Sequence, residues 1–335
     1  MNEVRWLLTG AGDIAARRVA PALVEAQGSS LVAVCDIDRA RAVGLADRFG
    51  VRAVFVDHVQ ALAESGADAV YIATPQDKHV AMCLDALAAG KHFLCEKPLG
   101  VGGAECLTLL EACGRSDRIT SCSNYRRLSE QYKATVAILE SGEIGTLVGG
   151  WMTYSTPPYD PGKSRQSRAV GGGPIKGLGF YVIDIALNLF GMPASAMAQT
   201  STLTPGTDLE DLAAIVLRFP SGALFSITIN TNSPGTRHVL ELFGSDGRIY
   251  WPQWPPHGNG PIVKITRKGT ETVETLTPEN YHLPMIEDFV GAVLGHRQPL
   301  CTIESATRTE VVTDAIYLSA QTGRLEPVLW RDGQP

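Results

Sequence analysis

Paired cysteines, surplus positive charge and long apolar runs are all missing from this chain, and each absence removes a class of function. Its seven cysteines (Cys35, Cys83, Cys95, Cys106, Cys113, Cys122 and Cys301) include no Cys-x-x-Cys pair. An odd count without paired spacing argues against a disulfide frame or a zinc site and for reduced thiols, hence a cytoplasmic location and no metal. Lys and Arg number 29 against 35 Asp and Glu, a spread-out formal charge of −6. No nucleic-acid footprint is expected from that balance. No apolar run approaches the length of a membrane span, so no membrane partner is expected. The N-terminus passes straight into an apolar strand, with no charged-then-apolar leader. What remains is room for a large core: 335 residues suffice for two domains of ordinary size.

The first of these domains begins on a nucleotide-binding pattern. Val4 to Thr9 is a short apolar run, Gly10-Ala11-Gly12-Asp13-Ile14-Ala15 follows, and a helical pattern continues through Ala26. In strand, glycine turn and helix of this kind, the first glycine permits the tight turn and the second lets the backbone approach a pyrophosphate. A small third residue, here Ala15, lets helix and strand pack closely. A second apolar run, Leu31 to Cys35, delivers Asp36. A carboxylate about twenty residues past the turn accepts hydrogen bonds from ribose hydroxyls and repels a 2′-phosphate. Asp36 therefore favours NAD over NADP, and Arg39 and Arg41 are near enough to soften the preference.

The alternation continues. Ala53 to Val56, Ala69 to Ala73, His92 to Cys95 and Ile119 to Cys122 read as strands, separated by helical stretches such as Arg39 to Phe49, Val80 to Ala89 and Gly103 to Arg115. This is the rhythm of an α/β, doubly wound parallel sheet of Rossmann type. Ligands of such sheets sit beyond the carboxyl ends of the strands. Thr74-Pro75 and Cys95-Glu96-Lys97-Pro98 occupy such ends, and His79 lies one helical turn beyond the first. A free lysine has a pKa of about 10.4, which burial near another cation brings toward neutrality. Lys97 is thus a candidate proton donor and acceptor, with Glu96 as a partner and Pro98 shaping the turn. His79 reads equally as a helix cap.

After about residue 123 the rhythm changes. Thr146 to Thr156, Ala194 to Thr202, Leu212 to Phe219, Ala223 to Asn230, Arg237 to Phe243 and Ile262 to Thr266 read as strands. Turns such as Pro220-Ser221-Gly222 and Ser245-Asp246-Gly247 predict antiparallel neighbours. Helical patterns follow at His282 to Leu294 and Ile303 to Thr322. The Pro157 to Gly173 stretch is too long for a mere connection and suits a site cover or a subunit contact. Behind it runs Gly171-Gly172-Gly173-Pro174-Ile175-Lys176-Gly177-Leu178-Gly179-Phe180-Tyr181-Val182-Ile183-Asp184. Pro174 suits a first helical turn. On a regular helix Gly177, Tyr181 and Asp184 share a face, with Lys176 about 100° away. Lys176 reads as a surface cation, with substrate contact as the other reading. Glycines inside a helix cost about 1 kcal/mol each against alanine, so a packed partner or a ligand must approach the backbone there.

Together these segments resemble the glucose-fructose oxidoreductase and inositol dehydrogenase superfamily (Gfo/Idh/MocA). The carriers are the Gly10 to Ala15 turn, Ala73-Thr74-Pro75 with His79, Glu96-Lys97-Pro98, Asn124-Tyr125-Arg126-Arg127, the Gly171 to Asp184 segment and Ala315 to Ala320. They span essentially the whole chain in the family's order. The resemblance implies a Rossmann domain at 1–122 that binds NAD, and at 123–335 a substrate-binding, oligomerising α+β domain with an open, mainly antiparallel sheet. It implies hydride transfer between nicotinamide and a hydroxyl or keto carbon of a sugar, cyclitol or related polyol, in a homodimer or homotetramer. Gly10, Gly12, Asp13, Ile14, Asp36, Arg41, Thr74, Pro75, His79, Glu96, Lys97, Asn124 and Arg165 are the implied cofactor contacts. Lys97, Arg127, Tyr154, Lys176, Tyr181 and Asp184 are the implied substrate contacts.

One departure stands out. The family pattern after the triple glycine commonly carries Asp, then Gly two residues on, then His or Tyr. Here the Asp position is Gly177, Gly179 matches, and Tyr181 holds the last. An Asp–His relay is absent, and the resemblance implies instead the Lys–Tyr variant of some sugar-active members, here Lys97 and Tyr181, with Tyr181 as a packed aromatic the other reading. Two further readings stay open: an NAD-retaining lyase or glycosidase that oxidises its sugar transiently, and a non-catalytic dinucleotide-binding regulator.

Overall fold

A computed structural model describes residues 2–158, 167–254, 260–276 and 278–330. The chain divides into two compact units, one of residues 1–100, 104–128 and 278–307, the other of 101–103, 129–277 and 308–335. The expected division at 122/123 lies near the crossing at 128/129, but a single cut does not describe the excursion of 101–103 or the return of 278–307.

In the first unit, β1 (Val4–Thr9), β2 (Ser29–Cys35), β3 (Ala53–Phe55), β4 (Ala69–Ile72), β5 (His92–Cys95) and β6 (Thr120–Cys122) form a six-stranded sheet. Its order is β3-β2-β1-β4-β5-β6, with every described pairing parallel. This is the doubly wound order, reversing direction at β1/β4, where such sheets bind their ligands. The helices between the strands are α1 (Ala20–Glu25), α2 (Arg39–Arg48), α3 (His58–Glu64), α4 (His79–Ala88) and α5 (Gly103–Gly114). Two start on aspartate caps: Asp38 accepts from Ala40 N at 2.9 Å, and Asp57 from Gln60 N at 2.7 Å. Such caps satisfy amide donors that the first helical turn leaves without partners. The returning helix α8 (Leu283–Gly295) joins this unit because its Phe289 ring lies 5.1 Å from that of Trp6 on β1.

The second unit holds α6 (Glu130–Glu140), α7 (Phe180–Phe190), most of α9 (Ile303–Thr322) and a nine-stranded sheet. The strands are β7 (Leu147–Ser155), β8 (Ser195–Ser201), β9 (Leu212–Arg218), β10 (Leu224–Asn230), β11 (Arg237–Gly244), β12 (Gly247–Trp251), β13 (Ile262–Thr266), β14 (Gly269–Val273) and β15 (Glu326–Pro327). Their order is β14-β13-β12-β11-β7-β10-β9-β8-β15. Pairing is antiparallel except between β10 and β7. The apolar pattern did not mark β12, β14 or β15. Alternating burial along β9 and β10 gives the sheet one buried and one exposed face. Arg168–Phe190 corrects the expectation about apolar runs: it is long and apolar enough to cross a membrane, yet 78% of that window is buried in the fold. Its hydropathy serves the core.

Candidate functional site

The glycine turn closes the carboxyl end of β1. Gly10 has φ +97°, and a Cβ there would lie 2.5 Å from the Ala73 carbonyl oxygen. Both the left-handed backbone and the approach of the turn after β4 demand glycine. At Gly12 nothing lies within 4 Å of an added Cβ, which leaves open space for a ligand's phosphates. The carboxylate of Asp36 accepts from Ala11 N at 2.7 Å and Asp38 N at 2.8 Å. It braces the glycine turn, and a carboxylate has acceptor capacity left for hydroxyl donors. Ile14 leads into the wide helical turn Ala15–Val19, while exposed Asp13 pairs with Arg17 at 3.2 Å. Arg41 pairs with Asp38 at 3.4 Å on the surface.

The turn after β5 rests on a buried carboxylate. Glu96 Oε1 accepts from the Tyr71 hydroxyl at 2.7 Å and the Ser123 hydroxyl at 3.2 Å, and lies 3.4 Å from His282 Nε2. Its Oε2 accepts from the backbone N–H of Lys97 at 3.2 Å. Burial by itself favours the neutral acid, but His282, the Tyr71 phenol and Lys97 outweigh it and bring Glu96 down to about 2. The half-buried Lys97 thus sits on a fixed, ionised base. His282 stacks near Tyr125 and Tyr281, with centroids at 4.8 and 4.9 Å.

The neighbouring turns are equally tied. His79 is 2% exposed, with Nδ1 2.8 Å from the Pro98 carbonyl oxygen and Nε2 2.9 Å from that of Thr74. Both ring nitrogens are thereby occupied by backbone, so His79 braces the turns and has no nitrogen left for a dinucleotide. Pro75 opens the 3-10 turn Gln76–Lys78. Asn124, 2% exposed, has both polar side-chain atoms buried without a protein partner. Arg127 reaches Ser305 Oγ at 3.1 Å.

In the second unit the segment after the triple glycine is not one regular helix. Ile175–Gly179 forms a π turn before α7. A π turn bonds i to i+5 and winds more widely than an α-helix, so the regular 3.6-residue spacing does not run through the whole segment. A Cβ on Gly179 would lie 3.0 Å from Ile229 Cδ1, so the close approach there is a packed strand. Lys176 is no surface cation: it is 5% exposed, with Nζ 2.7 Å from Glu310 Oε2 and 3.9 Å from Asp314 Oδ1. Tyr181 and Asp184 are buried on α7. Tyr154 is also buried, its ring 3.7 Å from that of His238. Glu210 accepts from Ile175 N at 3.1 Å, the Tyr317 hydroxyl at 2.8 Å and Arg168 at 3.1 Å. It anchors the start of the Tyr181 segment. Arg165 lies outside the described residues, as does much of the 157–173 stretch.

Residues 4–124 match the model of an oxidoreductase family with an NAD-binding Rossmann fold, and residues 132–250 match the GFO/IDH/MocA C-terminal domain. An uncharacterized oxidoreductase of Rhizobium meliloti is 31% identical over 98% of this chain and 100% of its own. The chain belongs to the Gfo/Idh/MocA oxidoreductase family. Another relative, the dTDP-3,4-didehydro-2,6-dideoxy-alpha-D-glucose 3-reductase of Streptomyces antibioticus, is 31% identical over 87% of this chain and 89% of its own. In fold it matches an Agrobacterium radiobacter oxidoreductase solved with NAD+, L-tartaric acid and magnesium, at TM-score 0.88 and 22% identity, covering 97% and 98% of the two chains.

The NAD of a Gfo/Idh/MocA enzyme fits the residues present: the open cradle at Gly12 and the unpartnered amide of Asn124 both suit a polar ligand. Tyr71, Ser123, His282 and Glu210 escaped the sequence reading of this family member. Only His282 carried a signal, as the start of a helical pattern, and it precedes α8 as the N-cap.

Proposed function

We propose that this protein transfers a hydride between NAD and a hydroxyl or keto carbon of a sugar, cyclitol or related polyol, with Lys97 and Tyr181 handling the proton. The observation that carries the reading is the anchoring of Lys97 at the carboxyl end of a parallel strand, on an ionised Glu96. When bound, the nicotinamide supplies the hydride acceptor or donor. Lys97 Nζ takes or gives the hydroxyl proton, and the Tyr181 phenol is the second proton group. The Streptomyces relative is named for reducing a keto sugar nucleotide, the reductive direction of the same chemistry. Residues 1–122 hold the cofactor and 123–335 the substrate. Exposed Val148, Val216 and Leu224 on strands of the larger sheet support a homodimer or homotetramer through that sheet. The seven free cysteines fit the cytoplasm.

The test is turnover with aldoses and polyols plus NAD+, and with keto sugars plus NADH. Nucleotide consumption in either direction supports the reading. Dinucleotide binding without turnover would favour a regulator, and product formation without net NADH would favour an NAD-retaining lyase or glycosidase.

A further inference from the structure

His79 contacts two carbonyl oxygens, and that arrangement constrains its protonation. A carbonyl oxygen only accepts, and a neutral imidazole has a single N–H. With Nδ1 2.8 Å from the Pro98 oxygen and Nε2 2.9 Å from the Thr74 oxygen, one of the two contacts in a neutral ring would set lone pair against lone pair. Two good bonds require two ring protons. We propose that His79 is a buried imidazolium that clamps the turn after β4 to the turn after β5, and that it is a positioning residue for Lys97. This deepens the proposed function and rests on its reading of Lys97.

The surroundings agree. His79 opens α4 immediately after the 3-10 turn Gln76–Lys78. From that same turn Gln76 Nε2 donates to the Gly100 carbonyl, so two buried side chains cross from one turn to the other. Pro98, whose carbonyl accepts from His79, directly follows Lys97. The Lys97 backbone is therefore held from both sides, through Glu96 on its N–H and through the His79 clamp beyond it. Burial by itself disfavours a charged ring, but the Cys95 sulfur and the two carbonyls outweigh it and hold His79 above the usual imidazole range. Cys95 is itself buried and pushed well above the thiol range. At neutral pH it is a thiol and carries no charge, so the case for the second ring proton stands on the two carbonyl contacts. The charged groups on the segments that carry these contacts are Glu96 and Lys97 on the β5 turn, and Asp77 and Lys78, which pair with each other at 2.9 Å.

A positive charge fixed on the carbonyl of Pro98, the residue after Lys97, disfavours the protonated lysine. Loss of the clamp's charge should therefore move the Lys97 limb of the pH–rate profile upward.

The deciding measurement is nitrogen NMR of the ¹⁵N-histidine-labelled full chain between pH 6 and 8. The His79 signal is assigned by its loss in His79→Gln, or by contacts to Thr74 and Pro98 protons if that variant fails to fold. One ring with both nitrogens protonated throughout supports the proposal, and a single-proton tautomer at pH 7 overturns it. In His79→Gln, which keeps amide donors but no charge, kcat should fall about 10- to 100-fold. Dinucleotide affinity should stay within a few-fold, and the basic limb should move to higher pH. An unchanged kcat and profile would overturn the positioning role. Lys97→Ala reports separately: if it leaves turnover intact, the reading of Lys97 fails, while the NMR result still decides the charge on His79.

Discussion

Glu96 and Glu210 are the same device built in two ways. Each is a buried carboxylate that takes several donors and fixes the backbone of a segment bearing a candidate proton group. Glu96 adjoins Lys97 in sequence and gathers Tyr71 from β4 and Ser123 from just beyond β6, the strands on either side of β5. Glu210 precedes β9 and reaches back to Ile175 N, 35 residues away, while Tyr317 comes from α9, 107 residues away. The first centre is an outgrowth of a parallel sheet whose strand ends converge by topology. The second depends on long-range packing that brings a glycine turn, a strand and a C-terminal helix to one point. Anchoring such a segment therefore requires no particular fold, only a satisfied buried charge.

The sharpest way to break this comparison is to remove the group that each centre supports. Lys97→Ala should lower turnover by roughly 10²–10⁴-fold with dinucleotide affinity within a few-fold, as for a general acid–base group. Tyr181→Phe should also lower turnover, with dinucleotide affinity again within a few-fold. If steady-state kinetics show Lys97→Ala within twofold of wild type, the lysine only binds.

Next in size comes the interior of the second unit. Lys176→Met removes the ammonium 2.7 Å from the Glu310 carboxylate. Breaking a buried pair from one side costs about 3–5 kcal/mol, which denaturant unfolding would read. A loss below about 0.5 kcal/mol would return Lys176 to the surface role of ordinary substitutions.

Acid unfolding tests the first centre. The Glu96 carboxyl moves from 4.5 to about 2 on folding, which corresponds to about 3 kcal/mol. A depressed carboxylate stabilises the fold above its unfolded pKa, and the contribution is lost as pH falls toward the folded value. Glu96→Gln should therefore be less stable above pH 4.5 and should show a shallower loss of stability between pH 4.5 and 2. Parallel curves for wild type and variant would mean that Glu96 is not held ionised.

The smallest effect concerns cofactor choice. With Asp36 bracing the glycine turn, NAD should bind more tightly than NADP by at least about tenfold, or ~1.4 kcal/mol. Fluorescence titration of both checks it. Equal affinities would bring Arg39 or Arg41 into contact with the 2′-phosphate.

The sequence by itself determined the architecture of the dinucleotide half. Gly10, Gly12, Asp36 and Lys97 lie in or beside short apolar strands, and a parallel sheet carries every strand end to one edge. Local pattern was enough for that placement, because strand, turn and helix each follow from neighbours in the chain. Tertiary structure decided the rest. The burial of Lys176 depends on Glu310, 134 residues away, and no local pattern distinguishes it from a surface lysine. Tyr154 turned out to stack on His238 only because β7 and β11 pair at that register. His79 looked like a cap or a ligand residue until the two turns closed around its ring. The π turn was hidden as well, since a 3.6-residue period assumes the regular hydrogen bonding that the Ile229 contact at Gly179 accompanies in altered form. Periodicity and turn chemistry are properties of neighbouring residues, whereas burial and protonation belong to whatever the fold packs against them.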